Sequence, residues 1–282
     1  MNPTQIMSFA HQAAGLSAPE ADSAIVLDAG EVSRVAAGLD IATAELITAW
    51  DLGCGLVIGH HADYAPGSLQ AHRSFAAVRE KMIRLGVHPS QASRMIHTVQ
   101  TLHRRGRSGN SSNYDRIPSI ARLISLPLMN IATPADRIGE NRVEALLEEK
   151  LPSGAPARLS DVMEVLRLIP ECALSISPPA IYVGSEGDYA GKPAALFSHI
   201  AAESPSIATA LFEAGLGTLI LPYATEAVIA AVKEQNIGNL IALGHVTADS
   251  IGMNAILREL ERQDVEVIRF SGIIDSGEGR QK

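Results

Sequence analysis

Two histidines stand side by side at positions 60 and 61, directly behind the apolar run LVIG (Leu56–Gly59). In open α/β sheets ligands bind just beyond the carboxyl ends of strands, and this pair is expected there. Along a continuing strand neighbouring side chains point to opposite faces, but where the backbone turns at a strand exit both rings can converge. Imidazole nitrogens are the commonest neutral metal ligands near pH 7; a ring that merely hydrogen-bonds a loop is the other reading of a bare pair. A second apolar run, within NLIALGHVTADSIGMN (239–254), ends in Gly244-His245, with a carboxylate four residues on at Asp249. A helix begun near Thr247 would let His245 and Asp249 face one centre, although a carboxylate in a first helical turn is favoured by the helix dipole alone. In NIATPADRIGEN (130–141) a strand ending near Ala132 leads to Thr133 and Asp136, with a helix expected from about Gly139 that Asp136 could cap. Three imidazoles and two carboxylates form the mixed donor set that suits a pair of divalent transition metals, with positions open to water. Asp40, at the end of the preceding apolar run, is the nearest candidate for a catalytic acid or base, or else caps the helix behind it.

Other chemistry finds less support. The run VGSEGDYAGKP (183–193) lacks the four-residue spacing before Gly-Lys of a phosphate loop, and Pro193 stands where a hydroxyl would be needed. No serine sits in a Gly-x-Ser-x-Gly elbow. The two cysteines, Cys54 and Cys172, are too few for a disulfide framework or a four-cysteine zinc site and fit a reducing compartment.

The elements that must carry these residues read as alternating strands and helices. Buried strands are expected over 34–39, 56–59, 128–132, 180–183, 218–221, 239–243 and 265–270. Helices are expected over 43–52, 75–85, 90–103, 142–151, 207–214, 226–234 and 252–262. Only 4% of the 282 residues are aromatic, so an aliphatic core must form between helices and a largely parallel sheet. The expected fold is α/β, with two similar lobes of mixed, mostly parallel sheets and a cleft between them. The Pro-Ser-Gly stretch at 152–157 reads as a linker between a first lobe over 1–151 and a second over 158–282, with the lobes free to intertwine. RRGRSGNSSN (104–113) reads as a surface loop.

The segments LDIATAELITAWDLGCGLVIGHH, NIATPADRIGEN and ALGHVTADSIG, in that order, resemble the NIF-three-like dinuclear-metal proteins, also described as GTP cyclohydrolase type-two-like. The resemblance implies metal ligation by His60, His61, Asp136, His245 and Asp249, and two divalent ions of zinc, manganese or iron. It also implies a ring-shaped hexamer built from dimers. The activity it implies is metal-dependent hydrolysis of a small phosphorylated or heterocyclic, nucleotide-like substrate; a non-catalytic metal-binding or protein-interaction scaffold is the other reading. The sequence departs from the family pattern at Ala62, where proline is usual, at Ala132, where histidine is usual, and at Asp249, where glutamate is usual. Leu221-Pro222-Tyr223 replaces a Thr-Gly-Asp stretch.

Charge and composition bound the partners. With 23 basic and 31 acidic residues the formal charge is −8, which argues against a general binder of nucleic-acid backbones or anionic lipid. No stretch of about 18 uninterrupted apolar residues occurs, so no membrane span is expected. The opening MNPTQIMSFAHQAAGLSAPEA has neither a basic leader nor a continuous apolar stretch, so a secretory signal is not expected and a cytoplasmic location is.

Overall fold

The structure is a computed structural model in which residues 1–17, 19–61, 63–64, 67–106, 113–151 and 156–277 are described. Among them run nine strands: β1 (Ala24–Leu27), β2 (Arg34–Gly38), β3 (Leu56–Gly59), β4 (Leu128–Asn130), β5 (Ala180–Val183), β6 (Pro193–Ala195), β7 (Thr218–Leu221), β8 (Asn239–Ala242) and β9 (Glu266–Arg269). They form a five-stranded sheet in the order β1-β4-β3-β2-β9 and a four-stranded sheet in the order β5-β8-β7-β6. In each sheet the strands are parallel except the first-named, which pairs antiparallel at the edge. The α/β class and the mostly parallel sheets expected from the sequence are therefore present. All seven strands expected from apolar runs are found, each within a few residues. β1 and β6 were not foreseen: β6 is three residues long and opens on Pro193, a residue tolerated only at edges and strand starts.

The two sheets repeat one plan. β1 pairs with β4, and β5 with β8, through a register shift at the same place, between Ile25 and Leu27 in one and between Ile181 and Val183 in the other. Central strands β3 and β7 are buried at every position, as a parallel strand covered on both faces must be.

Two compact units are each discontinuous in sequence. One compact unit comprises 1–74, 100–138 and 249–282, the other 75–99 and 139–248. The first unit regains the end of the chain because β9 pairs with β2 in register, Val35 opposite Val267 and Ala37 opposite Arg269. The lobes are thus interleaved along the sequence, and two long helices, Thr133–Lys150 and His245–Arg262, each begin in one unit's residues and end in the other's. Of the surface loop expected at 104–113, residues 104–106 end the helix Pro89–Gly106, and 107–112 lie outside the described residues, as do 152–155 of the expected linker.

In the first unit Val35, Ala37, Leu56, Ile58, Met129 and Ile131 pack against Met253, Ile256 and Leu257 of the His245–Arg262 helix. In the second, Leu219, Leu221 and Leu240 pack with Ile207, Leu211, Val228 and Val232. The free edge of β6 is closed by side chains: Ala195 N donates to Glu144 Oε1 at 3.0 Å and Phe197 N to Glu140 Oε1 at 2.8 Å. Lys81, itself buried, sits 2.7 Å from Glu144 and 3.5 Å from Glu140. Two carboxylates one helical turn apart thereby occupy the place that β9 takes beside β2 in the other sheet.

Candidate metal centre

The carboxyl ends of β2, β3 and β4 lie side by side, because their registers end together at Gly38, Gly59 and Asn130. Beyond them the backbone leaves the pleat. His60 N donates to Gly38 O at 3.0 Å, and His61 N donates to Leu39 O at 3.0 Å. The turn breaks the alternation of side chains, and the two imidazoles converge with ring centroids 4.8 Å apart.

Each ring is oriented from behind. His60 Nδ1 donates to the Ile131 carbonyl at 3.0 Å, and His61 Nδ1 donates to Asp40 Oδ1 at 2.8 Å. Since both acceptors lack a proton to give, Nδ1 carries hydrogen in each ring and Nε2 is the nitrogen turned forward. His60 Nε2 faces Asp136 Oδ1 at 3.4 Å and Asp249 Oδ1 at 3.6 Å; His61 Nε2 faces Asp249 Oδ2 at 3.3 Å. Asp249 thus presents one oxygen to each ring.

The two carboxylates, both among the first unit's residues, arrive on two helices. Thr133–Lys150 starts directly after β4 and not near Gly139, so Asp136 lies in its first turn and is not its cap. That end is capped from far away in sequence: Thr133 N donates to Asp22 Oδ1 at 3.4 Å and Ala132 N to Ser23 Oγ at 3.0 Å, while Thr133 Oγ1 donates to Asp22 Oδ2 at 2.7 Å and Asn130 Nδ2 to Asp22 O at 2.6 Å. The other helix starts at His245 and not at Thr247, which puts Asp249 one turn into it. Gly252 lets the helices meet, since a Cβ there would stand 1.9 Å from the Ala135 carbonyl oxygen. Asp136 and Asp249 flank this crossing.

The electrostatics follow. Burial works against a charged His60, but the carboxylates of Asp249 and Asp136 outweigh it and hold the imidazole well above its ordinary value. His61 is raised too: burial and the neighbouring His60 oppose its charge, while Asp249 and Asp40 favour it. The spacing fits a metal ion as well as a proton. Nitrogen-to-oxygen gaps of 3.3–3.6 Å are longer than the roughly 2.7–2.9 Å of a charge-assisted hydrogen bond. They match the edge of about 3.3 Å between two ligands that are each about 2.0–2.1 Å from a shared tetrahedral ion. One ligand atom each from His60, His61 and Asp249 lie within 4.8 Å of one another, so this group can hold a metal ion.

Of the residues singled out in the sequence, His60, His61, Asp136 and Asp249 are brought together, with Asp40 behind His61. Asp40 does not cap the helix Thr43–Asp51; Glu45 does so, accepting from Ala42 N at 2.9 Å. His245 belongs to the second unit's residues, exposed at the start of its helix, with its ring 5.2 Å from that of Tyr223. The sequence reading passed over Asp22, the Ile131 carbonyl and Gly252. Only Gly252 left a signal, a glycine inside a helical pattern. Burial pushes the Cys54 thiol up, and that of Cys172 up to about 12, away from the thiolate form that a nucleophile needs.

Comparison with known proteins bears on the same arrangement. A NIF3 superfamily protein from Sphaerobacter thermophilus, known from its crystal structure, is 30% identical, with a TM-score of 0.88 over 96% of this chain and 98% of its own. Reduced HcgD from Methanocaldococcus jannaschii is 15% identical, with a TM-score of 0.60 over 95% of this chain and 97% of its own. A Bacillus cereus protein related to NIF3 is 10% identical, with a TM-score of 0.52 over 96% of each chain. At the last two identities the likeness is one of fold. No protein-family model and no curated protein matches the sequence. Among the described residues no helix is long and apolar enough to cross a membrane.

Proposed function

The chain belongs to the NIF3 superfamily, and from that premise we propose that it is a divalent-metal protein whose centre is built on His60, His61, Asp136 and Asp249. The observation that carries this reading is the pair of Nε2 atoms, each backed through Nδ1 and each facing Asp249 at 3.3–3.6 Å. Metal-binding imidazoles characteristically donate their second nitrogen to a carbonyl or a carboxylate, as both do here. Asp249, which turns one oxygen to each imidazole, would hold a bound ion together with either ring. Of zinc, manganese and iron, none is excluded by mixed nitrogen and oxygen donors. His245, one helical turn before Asp249, is proposed as a further ligand on that spacing and on the family resemblance.

The reaction we propose is hydrolysis of a small phosphorylated or heterocyclic, nucleotide-like substrate. A bound divalent pair supplies Lewis-acid polarisation of a phosphoryl or ring-carbonyl oxygen and makes a coordinated water acidic near neutral pH. The chain's residues provide the frame. His60, Asp249 and Ile131 are buried and exclude bulk water from one side, while His61 at 27% side-chain exposure and Asp136 at 22% leave an approach from the other. A second reading, a metal-binding scaffold without turnover, is favoured by the engagement of Asp40: the nearest candidate for a catalytic acid or base is bonded to His61. The family resemblance also supports assembly into a ring of six chains, and composition supports a cytoplasmic location.

Metal content and hydrolysis measured together test both readings. Two ions per chain, with turnover on a phosphoester and nucleotide panel that His61→Ala abolishes, is the result expected of the enzyme. Bound metal without turnover would leave the scaffold, and a chain that takes up no divalent metal would remove both.

A further inference from the structure

The two imidazoles are not held alike. His60 is buried at 4% side-chain exposure, and its Nδ1 is fixed by a main-chain carbonyl that no substitution removes. His61 is more than a quarter exposed, and its Nδ1 is bonded to the side chain of Asp40 at 2.8 Å. Asp40 is itself well fixed, although its carboxylate is 70% exposed. Its carbonyl accepts Ser271 Oγ at 2.6 Å, and the preceding Leu39 N donates to Ser271 O at 2.9 Å. Leu39 O in turn accepts His61 N at 3.0 Å. The segment behind β9 therefore clamps the segment behind β2, which carries the carboxylate that reaches the ring behind β3. Three parallel strands meet in one chain of contacts whose last member is His61 Nδ1.

We propose that Asp40 is a positioning residue of this centre: its carboxylate holds the His61 ring with Nδ1 protonated and Nε2 turned to Asp249, and so decides whether His61 ligates at all. The inference rests on the metal-centre reading and deepens it. It takes Asp40 out of the role of proton donor or acceptor toward substrate, because the oxygen nearest the site is occupied by the imidazole. Carboxylate, imidazole and metal ion in line is a common way of fixing a ligand's tautomer and raising its basicity, and loss of the outer member lowers metal affinity about 10–100-fold. An exposed imidazole without that partner has rotamers that carry Nε2 out of reach of Asp249, whereas His60 has no such freedom inside its pocket.

Zinc titration of metal-free wild type and Asp40→Ala, with NMR of the imidazole nitrogens in the zinc-loaded proteins, tests the proposal. The expected result is a loss of affinity of about 10–100-fold in Asp40→Ala. The His61 Nε2 coordination signal should be missing there while that of His60 is retained. Because Asp40 lies at the surface, circular dichroism of the variant should match wild type. Affinity within about threefold of wild type, with His61 Nε2 still coordinated, would overturn the inference and leave the metal centre standing. A wild-type chain that binds no zinc, manganese or iron would overturn both.

Discussion

Gly252 and Ala135 meet backbone to backbone where two helices cross, and the carboxylates of the site stand on either side of that contact. Asp136 follows Ala135 directly, and Asp249 precedes Gly252 by three residues. A methyl group at position 252 would lie 1.9 Å from the Ala135 carbonyl oxygen, a backbone atom that cannot rotate away. Gly252→Ala must therefore push the helices apart. Overpacking of this kind costs about 1–3 kcal/mol, which outweighs the gain of roughly 1 kcal/mol from replacing a helical glycine by alanine. Chemical denaturation should show a net loss of stability, and metal titration a weaker site, since Asp136 and Asp249 separate. A variant as stable as wild type with unchanged affinity would show that the crossing does not set the site.

The second prediction concerns pH. His60 and His61 have folded-state values raised above 6.5 by their carboxylate neighbours, against the effect of burial. A raised imidazole binds its proton more tightly in the folded chain than in the unfolded one. Its contribution to stability is complete below 6.5 and is lost as pH rises through the folded values. Metal binding has the opposite slope, because the ion needs Nε2 without its proton. The stabilisation that zinc adds should therefore widen as pH rises from 6.5, and the protons released per ion bound should fall over the same interval. Calorimetry in two buffers at each pH reads both; zinc affinity that is flat across this range would contradict the arrangement.

How much of this was legible in the residues differs from element to element. β3 and β7 announced themselves as unbroken aliphatic runs, because a strand buried on both faces has no polar side to show. His60, His61 and Asp249 were legible from their place behind such runs. The division into units was not: β9 returns to pair with β2 across more than two hundred residues, and no local pattern encodes a strand's partner. The starts of the site helices were misplaced for a related reason. Ala132 is a poor cap, so Thr133 reads as loop until Asp22, more than a hundred residues earlier, is seen to accept from its backbone N–H. Asp40 read as a catalytic acid or base, or as a helix cap, because its partner His61 is fixed by strand register and not by sequence spacing.

A third prediction tests the closed edge of β6. Lys81 lies buried between Glu140 and Glu144, whose oxygens receive the two amide groups of that edge. Lys81→Met removes the ammonium that both carboxylates face and puts an apolar side chain in its place. Breaking a buried ion pair from one side costs about 3–5 kcal/mol, so the melting transition should fall sharply. Adding Glu140→Gln to that variant should return part of the loss, because an amide oxygen still accepts from Phe197 N without burying charge. If the double variant melts below the single one, charge is not what Lys81 balances.

The unequal anchoring of the two imidazoles separates stability from metal binding. His61→Ala removes a partly exposed ring; above the pH at which that ring loses its proton, its charge no longer contributes beside Asp249 and Asp40, and surface changes then stay within about 0.5 kcal/mol. His60→Ala empties a buried position and takes the hydrogen-bond donor from the Ile131 carbonyl, which costs about 1–3 kcal/mol. It also leaves Asp136 and Asp249 without the ring that both face. Denaturant titration of the metal-free proteins should therefore rank His60→Ala well below wild type and His61→Ala beside it, while zinc titration should show both variants strongly weakened. Equal stability of the two variants would mean that His60 is held no more firmly than His61, and that the Ile131 carbonyl is satisfied by other means.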